Sequence, residues 1–179
     1  MPKFKTVRFG ELDYQQTDVI NLQDGLVGMP QLRRWLLLEM GDDVPMKWFQ
    51  SLDRSDFGFP VSAAWMFHDN YEFEVPAADC RRLQTTGASP VTVMIITTIH
   101  PGGVLVTGNL MAPLVIDTET RRGLQLTLDD ARWSLRQEID YRKFELAVTG
   151  QTPENAAQTV PTASGALRMN AGQAEPVGA

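Results

Sequence analysis

The stretch VTVMIITTIHPGGVLVTGNLMAPLVIDTETRRGLQLTL, residues 91–128, decides the fold of this chain. In its first part, residues 91–99, apolar side chains alternate between the two faces of an extended strand. The Pro-Gly-Gly sequence that follows predicts a turn, because proline presets φ and glycine tolerates positive φ. Three further strand patterns complete the stretch, at residues 104–106, 113–116 and 124–128. The stretch therefore predicts an antiparallel β-meander on which the rest of the chain packs.

Shorter patterns precede the meander. Residues 30–40 suit either a helix opened by Pro30 or a buried strand, and we favour a turn followed by a strand because Gly41 cuts the run short. Residues 48–52 and 57–61 alternate as strands do. One helix is predicted at residues 76–85, where a proline suits the first turn.

The segment after the meander is less regular. Residues 129–139 have helix propensity, with Asp129 as a possible N-cap. From residue 149 onward Ala, Thr, Gly, Pro and Gln dominate, and such a segment buries too little surface to offset its ordering entropy. These patterns predict an all-β fold class, with one domain and one short helix at residues 1–140. A low-complexity, disordered extension is predicted at residues 141–179.

Composition narrows the class of protein. The chain has 179 residues, of which 43% are hydrophobic and 21% charged, as in globular proteins with a real core. Its formal net charge of -6 would repel a phosphate backbone, so protein partners are favoured over nucleic acid. No run approaches the ~18 apolar residues of a membrane span, and the N-terminus lacks the apolar core of a signal peptide. We expect a cytoplasmic protein that is a monomer when free.

The sequence contains no pattern typical of an active site. Cys80 is the single cysteine, so an internal disulfide is excluded. His68 and His100 lie far apart, and neither has a metal-ligand neighbour at helical or hairpin spacing. No serine lies in a Gly-x-Ser-x-Gly setting, and the glycines do not form a phosphate-binding loop. We therefore assign no catalytic, metal-binding or cofactor-binding residues, and we expect no cofactor.

Four polar residues interrupt apolar strand patterns: Gln50, Ser51, Asn109 and Gln125. One interpretation is that they face water or cap the ends of a barrel. The other is that they form a hydrogen-bonding patch that recognises the backbone of another protein. We assign these four residues as candidate partner-binding residues.

Several segments resemble the flagellar assembly factor FliW family. The most specific is GNLMAPLVIDTETRRGLQLTL, residues 108–128, in which Asn-Leu-x-Ala-Pro precedes an Ile-Asp turn and Gly-x-Gln. The other matching pieces are FGELDYQQTDVINLQDGLVGMP, WFQSLD, FGFPV and DNYEFEV, at residues 9–30, 48–53, 57–61 and 69–75. The chain departs from the family pattern at Leu22-Gln23, where Phe-Pro is usual, at Asp117, where Asn is usual, and at Trp133, where Tyr is common.

The resemblance implies a compact antiparallel β-barrel-like domain at residues 1–140, and an extended segment instead of a helix at residues 129–139. It implies a cytoplasmic protein without enzymatic activity that binds flagellin and antagonises the translational repressor CsrA by partner exchange. Flagellin synthesis would thereby be coupled to flagellum assembly. An acidic surface suits this role, because an RNA-binding repressor is expected to be basic around its RNA site. The alternative from another class is a small β-barrel that binds a small-molecule ligand or cofactor in its mouth.

Overall fold

The structure is a computed structural model that describes residues 1–41, 44–85, 89–149 and 158–171. Two short 3₁₀ helices lie at Gln16–Asp18 and Ala64–Met66. The other elements are, in chain order, β1 (Lys3–Thr6), β2 (Gly10–Asp13), β3 (Ile20–Leu22), β4 (Arg34–Glu39), β5 (Lys47–Ser51), β6 (Gly58–Ala63), β7 (Glu72–Val75), α1 (Ala77–Leu83), β8 (Val91–Ile99), β9 (Val106–Gly108), β10 (Leu114–Asp117), β11 (Arg122–Gln125), β12 (Gln137–Glu138), α2 (Tyr141–Val148), β13 (Gln158–Pro161) and β14 (Leu167–Asn170).

Seven strands close a barrel. They follow one another in the order β10, β11, β3, β4, β5, β6 and β8, and β8 pairs back onto β10. All of these pairings are antiparallel except that of β11 with β3, which is parallel. The predicted all-β, barrel-like fold class is confirmed, and so is the strand that we favoured within residues 30–40, which is β4.

The long strand β8 carries two partners along one edge. Its residues Val91–Met94 pair with β10, and its residues Thr97–Ile99 pair with β9. Two residues of β8, 95 and 96, separate these two pairings, whereas five residues, 109–113, separate β9 from β10. The segment between β9 and β10 therefore has three extra residues, which form a bulge. This bulge coincides with the Asn-Leu-Met-Ala-Pro sequence, and it turns Leu110 fully into the core.

The core lies on both faces of the barrel wall. Six of the seven barrel strands contribute side chains to one buried cluster that fills the barrel interior, including Trp35, Phe49 and Ile116. The opposite faces of β8 and β10, together with β11, contribute to a second cluster, which β7, α1 and β14 cover. Residues that alternate along a strand therefore enter different clusters, as Ile116 and Val115 do.

Two expectations about helices need correction. Residues 129–139 hold turns and the two-residue strand β12 instead of a helix, in agreement with the family resemblance. Trp133 is buried there with its ring edge-on to Tyr71, at 4.7 Å between centroids, and this packing outweighs helix propensity. A second helix, α2, was not predicted; it begins where the carboxylate of Asp140 accepts the backbone N–H of Arg142. The predicted helix at residues 76–85 is present as α1 and ends at Gln84, whose φ is 58°.

The described part of residues 141–179 does not meet the expectation of a disordered extension. Strands β13 and β14 pair as a hairpin, and β14 also pairs with β7 from Leu167 opposite Val75 to Asn170 opposite Glu72. The Leu167 and Met169 side chains are buried against the barrel. Two apolar residues are too few to predict a strand from sequence, because their burial depends on a partner strand about ninety residues away. Residues 150–157 and 172–179 lie outside the described residues, and the boundary at residue 140 stays a prediction.

Candidate functional site

Two of the predicted partner-binding residues hold a corner of the barrel. Gln50 and Ser51 end β5, and both are buried, with 1% and 0% of their surface exposed. The Gln50 amide donates to the Phe57 carbonyl at 2.9 Å and accepts from Trp48 Nε1 at 3.1 Å. Ser51 Oγ accepts the backbone N–H of Arg54 at 3.0 Å. These buried side chains brace the loop between β5 and β6. A role for them in partner binding stays a prediction.

The other two residues are half-buried and lie around the bulge. Asn109 Oδ1 accepts the backbone N–H of Met111 at 3.1 Å and so shapes the bulge itself. Gln125 Nε2 donates to the Ala112 carbonyl at 3.4 Å, and Gln125 Oε1 accepts the backbone N–H of Val27 at 2.8 Å. The structure thus brings Gln125 to the bulge that Asn109 organises. A role for either side chain in partner binding stays a prediction.

A groove of about 530 Å³ opens beside Gln125. One wall is the chain from residue 124 to residue 130, which continues β11. The opposite wall consists of β7 residues and the start of α1, including Glu74 and Pro76. Sequence reasoning missed this groove because its walls lie about fifty residues apart in the chain. The alternating acidic and apolar residues of β7 are the one local signal of an exposed strand.

The barrel wall of the groove is an open strand edge. The backbone N–H of Leu126 donates to the Pro113 carbonyl at 3.0 Å, and that of Leu128 donates to the Met111 carbonyl at 2.8 Å. Successive residues of a strand direct their N–H and C=O groups to opposite edges, so those of Gln125 and Thr127 point away from β10. Strand β3 covers that edge only at Arg122 and Gly123. Among the described residues, no backbone hydrogen bond joins Thr127 to a partner.

The opposite wall is also a strand edge. The backbone N–H of Ala171 donates to the Tyr71 carbonyl at 2.9 Å, so Tyr71 and every second residue after it in β7 direct their backbone groups toward β14. The N–H and C=O groups of the residues between them, Glu72 and Glu74, therefore point away from β14. In the part of the chain that the structure describes, β14 is the only strand that pairs with β7. Residues from two strands that each have an unpaired edge therefore line one groove.

Acidic groups dominate the groove. Five carboxylates and two guanidinium groups line it. The Arg82 guanidinium pairs with both Asp24 and Asp79, and the Arg132 guanidinium pairs with Asp130 at 2.7 Å. The hydrogen bond from Arg132 lowers the pKa of the Asp130 carboxyl, which keeps that group ionised. The remaining carboxylates, those of Glu74 and Asp129, have no ion pair among the residues that the structure describes.

Other kinds of site are not found in the described ranges. They contain no group of three or more His, Cys, Asp and Glu side chains that is placed to hold a metal ion. None of their helices has the length and apolarity needed to cross a membrane. Burial raises the pKa of the lone Cys80 thiol, so this buried residue is not an activated thiolate.

The fold and the groove together define a class of protein: a small barrel with a packed interior, whose open features lie on its outer surface. Comparison with known families is more specific. The family model described as FliW protein matches residues 3–139, and the chain therefore belongs to the FliW family.

Individual relatives agree with this membership. The chain is 31% identical over 137 residues to the flagellar assembly factor FliW of Syntrophus aciditrophicus (strain SB), covering 76% of this chain and 87% of the relative. It is 32% identical over 157 residues to the flagellar assembly factor FliW of Bdellovibrio bacteriovorus, covering 88% of this chain and 89% of the relative. A crystal structure of the flagellar assembly factor FliW superposes with a TM-score of 0.71 at 24% identity, covering 76% of this chain and 96% of that one.

Proposed function

We propose that this chain is a cytoplasmic, non-enzymatic flagellar assembly factor that binds flagellin and the translational repressor CsrA in exchange. Binding of one partner releases the other, so that flagellin synthesis follows flagellum assembly. The observation that carries the proposal is membership of the FliW family over residues 3–139. The curated relatives are named flagellar assembly factors, which supports a role in the same process.

The packed barrel interior supports a function on the outer surface. Trp35 and Phe49 stack inside the barrel at 4.7 Å between ring centroids, and Phe59 packs against both rings. A barrel of this size is filled by its own side chains, which disfavours the alternative of a ligand held in the barrel mouth. The net charge of -6 also suits a basic partner such as an RNA-binding repressor.

Competition between the partners tests the proposal. Flagellin is titrated into a preformed complex of this chain with CsrA, and the species are separated by size exclusion. We expect CsrA to be released, and each partner to weaken the apparent affinity of the other by the same factor, as linkage requires. A stable ternary complex at saturating flagellin would contradict exchange. Failure of both binary complexes to form would contradict the proposed function as a whole.

Variants of the half-buried residues extend this test. Gln125→Ala removes a side chain that reaches both the bulge and Val27, and Asn109→Ala removes the acceptor for Met111. We expect at least one of the two variants to weaken a binary complex while keeping a cooperative melt. Native mass spectrometry of the purified chain addresses the alternative class, since a retained small molecule would favour a ligand-binding barrel.

A further inference from the structure

The groove between β7 and the continuation of β11 has the features of a site for an added strand. Strand addition needs unpaired N–H and C=O groups along an accessible edge, and pockets or charges that recognise alternate side chains. Gln125 and Thr127 supply such groups on the barrel wall, and Glu74 supplies them on the opposite wall. Natural proteins usually cover or shorten open edges because these edges pair readily with other chains. A groove lined by residues of two strands with open edges is therefore unusual.

We propose that this groove binds an extended, basic segment of a partner protein by strand addition. The backbone of the segment pairs with Gln125 and Thr127, and its lysine or arginine side chains lie against Glu74 and Asp129. The inference rests on the proposed function in one respect, namely that this chain works by binding other proteins.

Charge argues for a basic occupant. Three of the five groove carboxylates are already engaged by Arg82 and Arg132, whereas Glu74 and Asp129 are exposed and lack an ion pair in the described ranges. They lie on opposite walls of the groove. An extended segment directs alternate side chains the same way, so basic residues at every second position lie on one face of the segment, where two of them reach these two carboxylates.

The same argument disfavours two other occupants. A second copy of this chain would bring the same acidic edge into a symmetric contact, and like charges placed opposite each other oppose pairing. The residues that end the chain, 172–179, contain one glutamate, one proline and no basic residue. Neither supplies the lysine or arginine side chains that the groove favours.

Peptide binding to the full-length chain tests the proposal. The probe is a fluorescein-labelled, amidated peptide of alternating lysine and threonine, and binding is followed by anisotropy. A peptide of alternating glutamate and threonine is the charge control. Two further lysine–threonine peptides carry backbone N-methyl groups, on every lysine or on every threonine, which blocks pairing along one edge without changing charge. We expect the acidic peptide, and at least one N-methylated peptide, to bind about tenfold or more weakly. Equal binding of all the basic peptides would overturn strand addition.

Charge variants locate the binding site. The double variant Glu74→Gln/Asp129→Asn is compared with Glu145→Gln, which removes an exposed carboxylate on α2 outside the groove. We expect the double variant to weaken binding of the lysine–threonine peptide about tenfold, and the α2 variant to leave it unchanged. If the two variants change the affinity for the lysine–threonine peptide equally, the assignment of the binding site to this groove is overturned. Both variants keep side-chain volume nearly constant, so the fold is retained.

Hydrogen–deuterium exchange of the full chain tests whether the edge is free. We expect the amides of Gln125 and Thr127 to exchange rapidly alone and at least tenfold more slowly with saturating lysine–threonine peptide. Slow exchange in the unliganded chain would show that its own terminal residues or a second copy already occupies the edge, and would overturn the proposal. Sedimentation then identifies a second copy as the occupant.

Partner binding separates failure of this inference from failure of the proposed function. If flagellin and CsrA bind but neither competes with the peptide, and neither is weakened by the double variant, the groove proposal is overturned and the function stands. If the peptide binds as expected while neither protein binds, the groove proposal stands and the proposed function is overturned.

Discussion

Polar groups differ between two regions of the molecule. One region is the corner between β5 and β6, and the other is the groove between β7 and the continuation of β11. At the corner, Gln50 and Ser51 are buried, and their side chains form hydrogen bonds with backbone groups of the loop between β5 and β6. At the groove, backbone groups of two strands have no strand to pair with in the described part of the chain. The first region is complete within one chain, whereas the second is complete only when another strand is added.

This difference shows where stability and binding reside. Polar groups that are buried and satisfied make a corner rigid, and their loss leaves unpaired groups in a dry environment. Polar groups on an open edge are hydrated in the free protein, so changing them costs little stability. Mutations at the corner are therefore expected to act on folding, and mutations at the groove on partner binding.

The largest effect is expected from Trp35→Ala. Trp35 is fully buried beside the corner, stacks on Phe49, and donates from Nε1 to the Leu32 carbonyl at 3.1 Å. Its truncation should lower the free energy of unfolding by about 3–5 kcal/mol, as a cavity opens in the barrel interior. Urea unfolding followed by circular dichroism measures the loss. Leu135→Ala, at a residue that is 62% exposed, is the control and should unfold like the parent.

A smaller loss is expected from Gln50→Ala. The variant deprives Trp48 Nε1 of its acceptor and the Phe57 carbonyl of a donor. We expect a loss of about 2 kcal/mol in unfolding free energy, because Trp48 Nε1 is left without an acceptor and the Phe57 carbonyl keeps only its bond from the Ser51 backbone N–H. The same urea titration measures it, together with partner binding at a temperature where the variant is folded. An unchanged unfolding midpoint with weakened binding would reverse the comparison and restore Gln50 as a contact residue.

Asp53, beside the same corner, is expected to link stability to pH. Partial burial opposes its ionisation, but the backbone N–H groups of Arg34 and Arg33 and the Arg34 side chain lower its pKa overall. A lowered pKa in the folded state means that the carboxylate stabilises the fold above its ordinary pKa, and that this contribution disappears as the pH falls through the lowered value.

The variant Asp53→Asn isolates this contribution. At neutral pH it should lower the free energy of unfolding by about 1 kcal/mol, because it keeps an acceptor oxygen but loses the charge. Between neutral and acid pH its stability should decline less steeply than that of the parent. Thermal melts of both proteins across this pH range measure the slopes, and parallel slopes would contradict the assignment.

The smallest effect on stability is expected at the groove. Thr127→Val exchanges an exposed side chain on the open edge for one of similar shape, so the free energy of unfolding should change by no more than about 0.5 kcal/mol. A thermal melt beside Trp35→Ala measures the contrast directly. A loss comparable to that of Gln50→Ala would show that the Thr127 side chain is packed or hydrogen-bonded in the free protein, and the distinction between corner and groove would disappear.

The strands were predicted well because their signals are local. The alternation in β8 and the leucines around β11 appear within a few residues, and Ile95, Ile116 and Leu126, which those patterns place on apolar faces, are buried. Helix α2 and strand β14 were missed because their local signals are weak. The burial of Met169 depends on β7, and the helix depends on packing as much as on its Asp140 cap. The burial of the candidate residues could not be predicted, since Gln50 and Asn109 look alike in sequence but Gln50 is buried and Asn109 half-buried.

The sequence by itself determined the class of fold, through period-two patterns and turn residues, and it determined the family, through residues 108–128 and the segments before them. Only the tertiary structure decided which backbone polar groups are hydrogen-bonded within the chain and which are left unpaired. In the closed barrel each of the seven strands pairs with two neighbours, whereas β7 pairs with β14 along one edge. What remains unpaired depends on which distant strands meet. Hydrogen bonding along a strand edge is a property of neighbours in space, which a pattern of side chains along the chain does not encode.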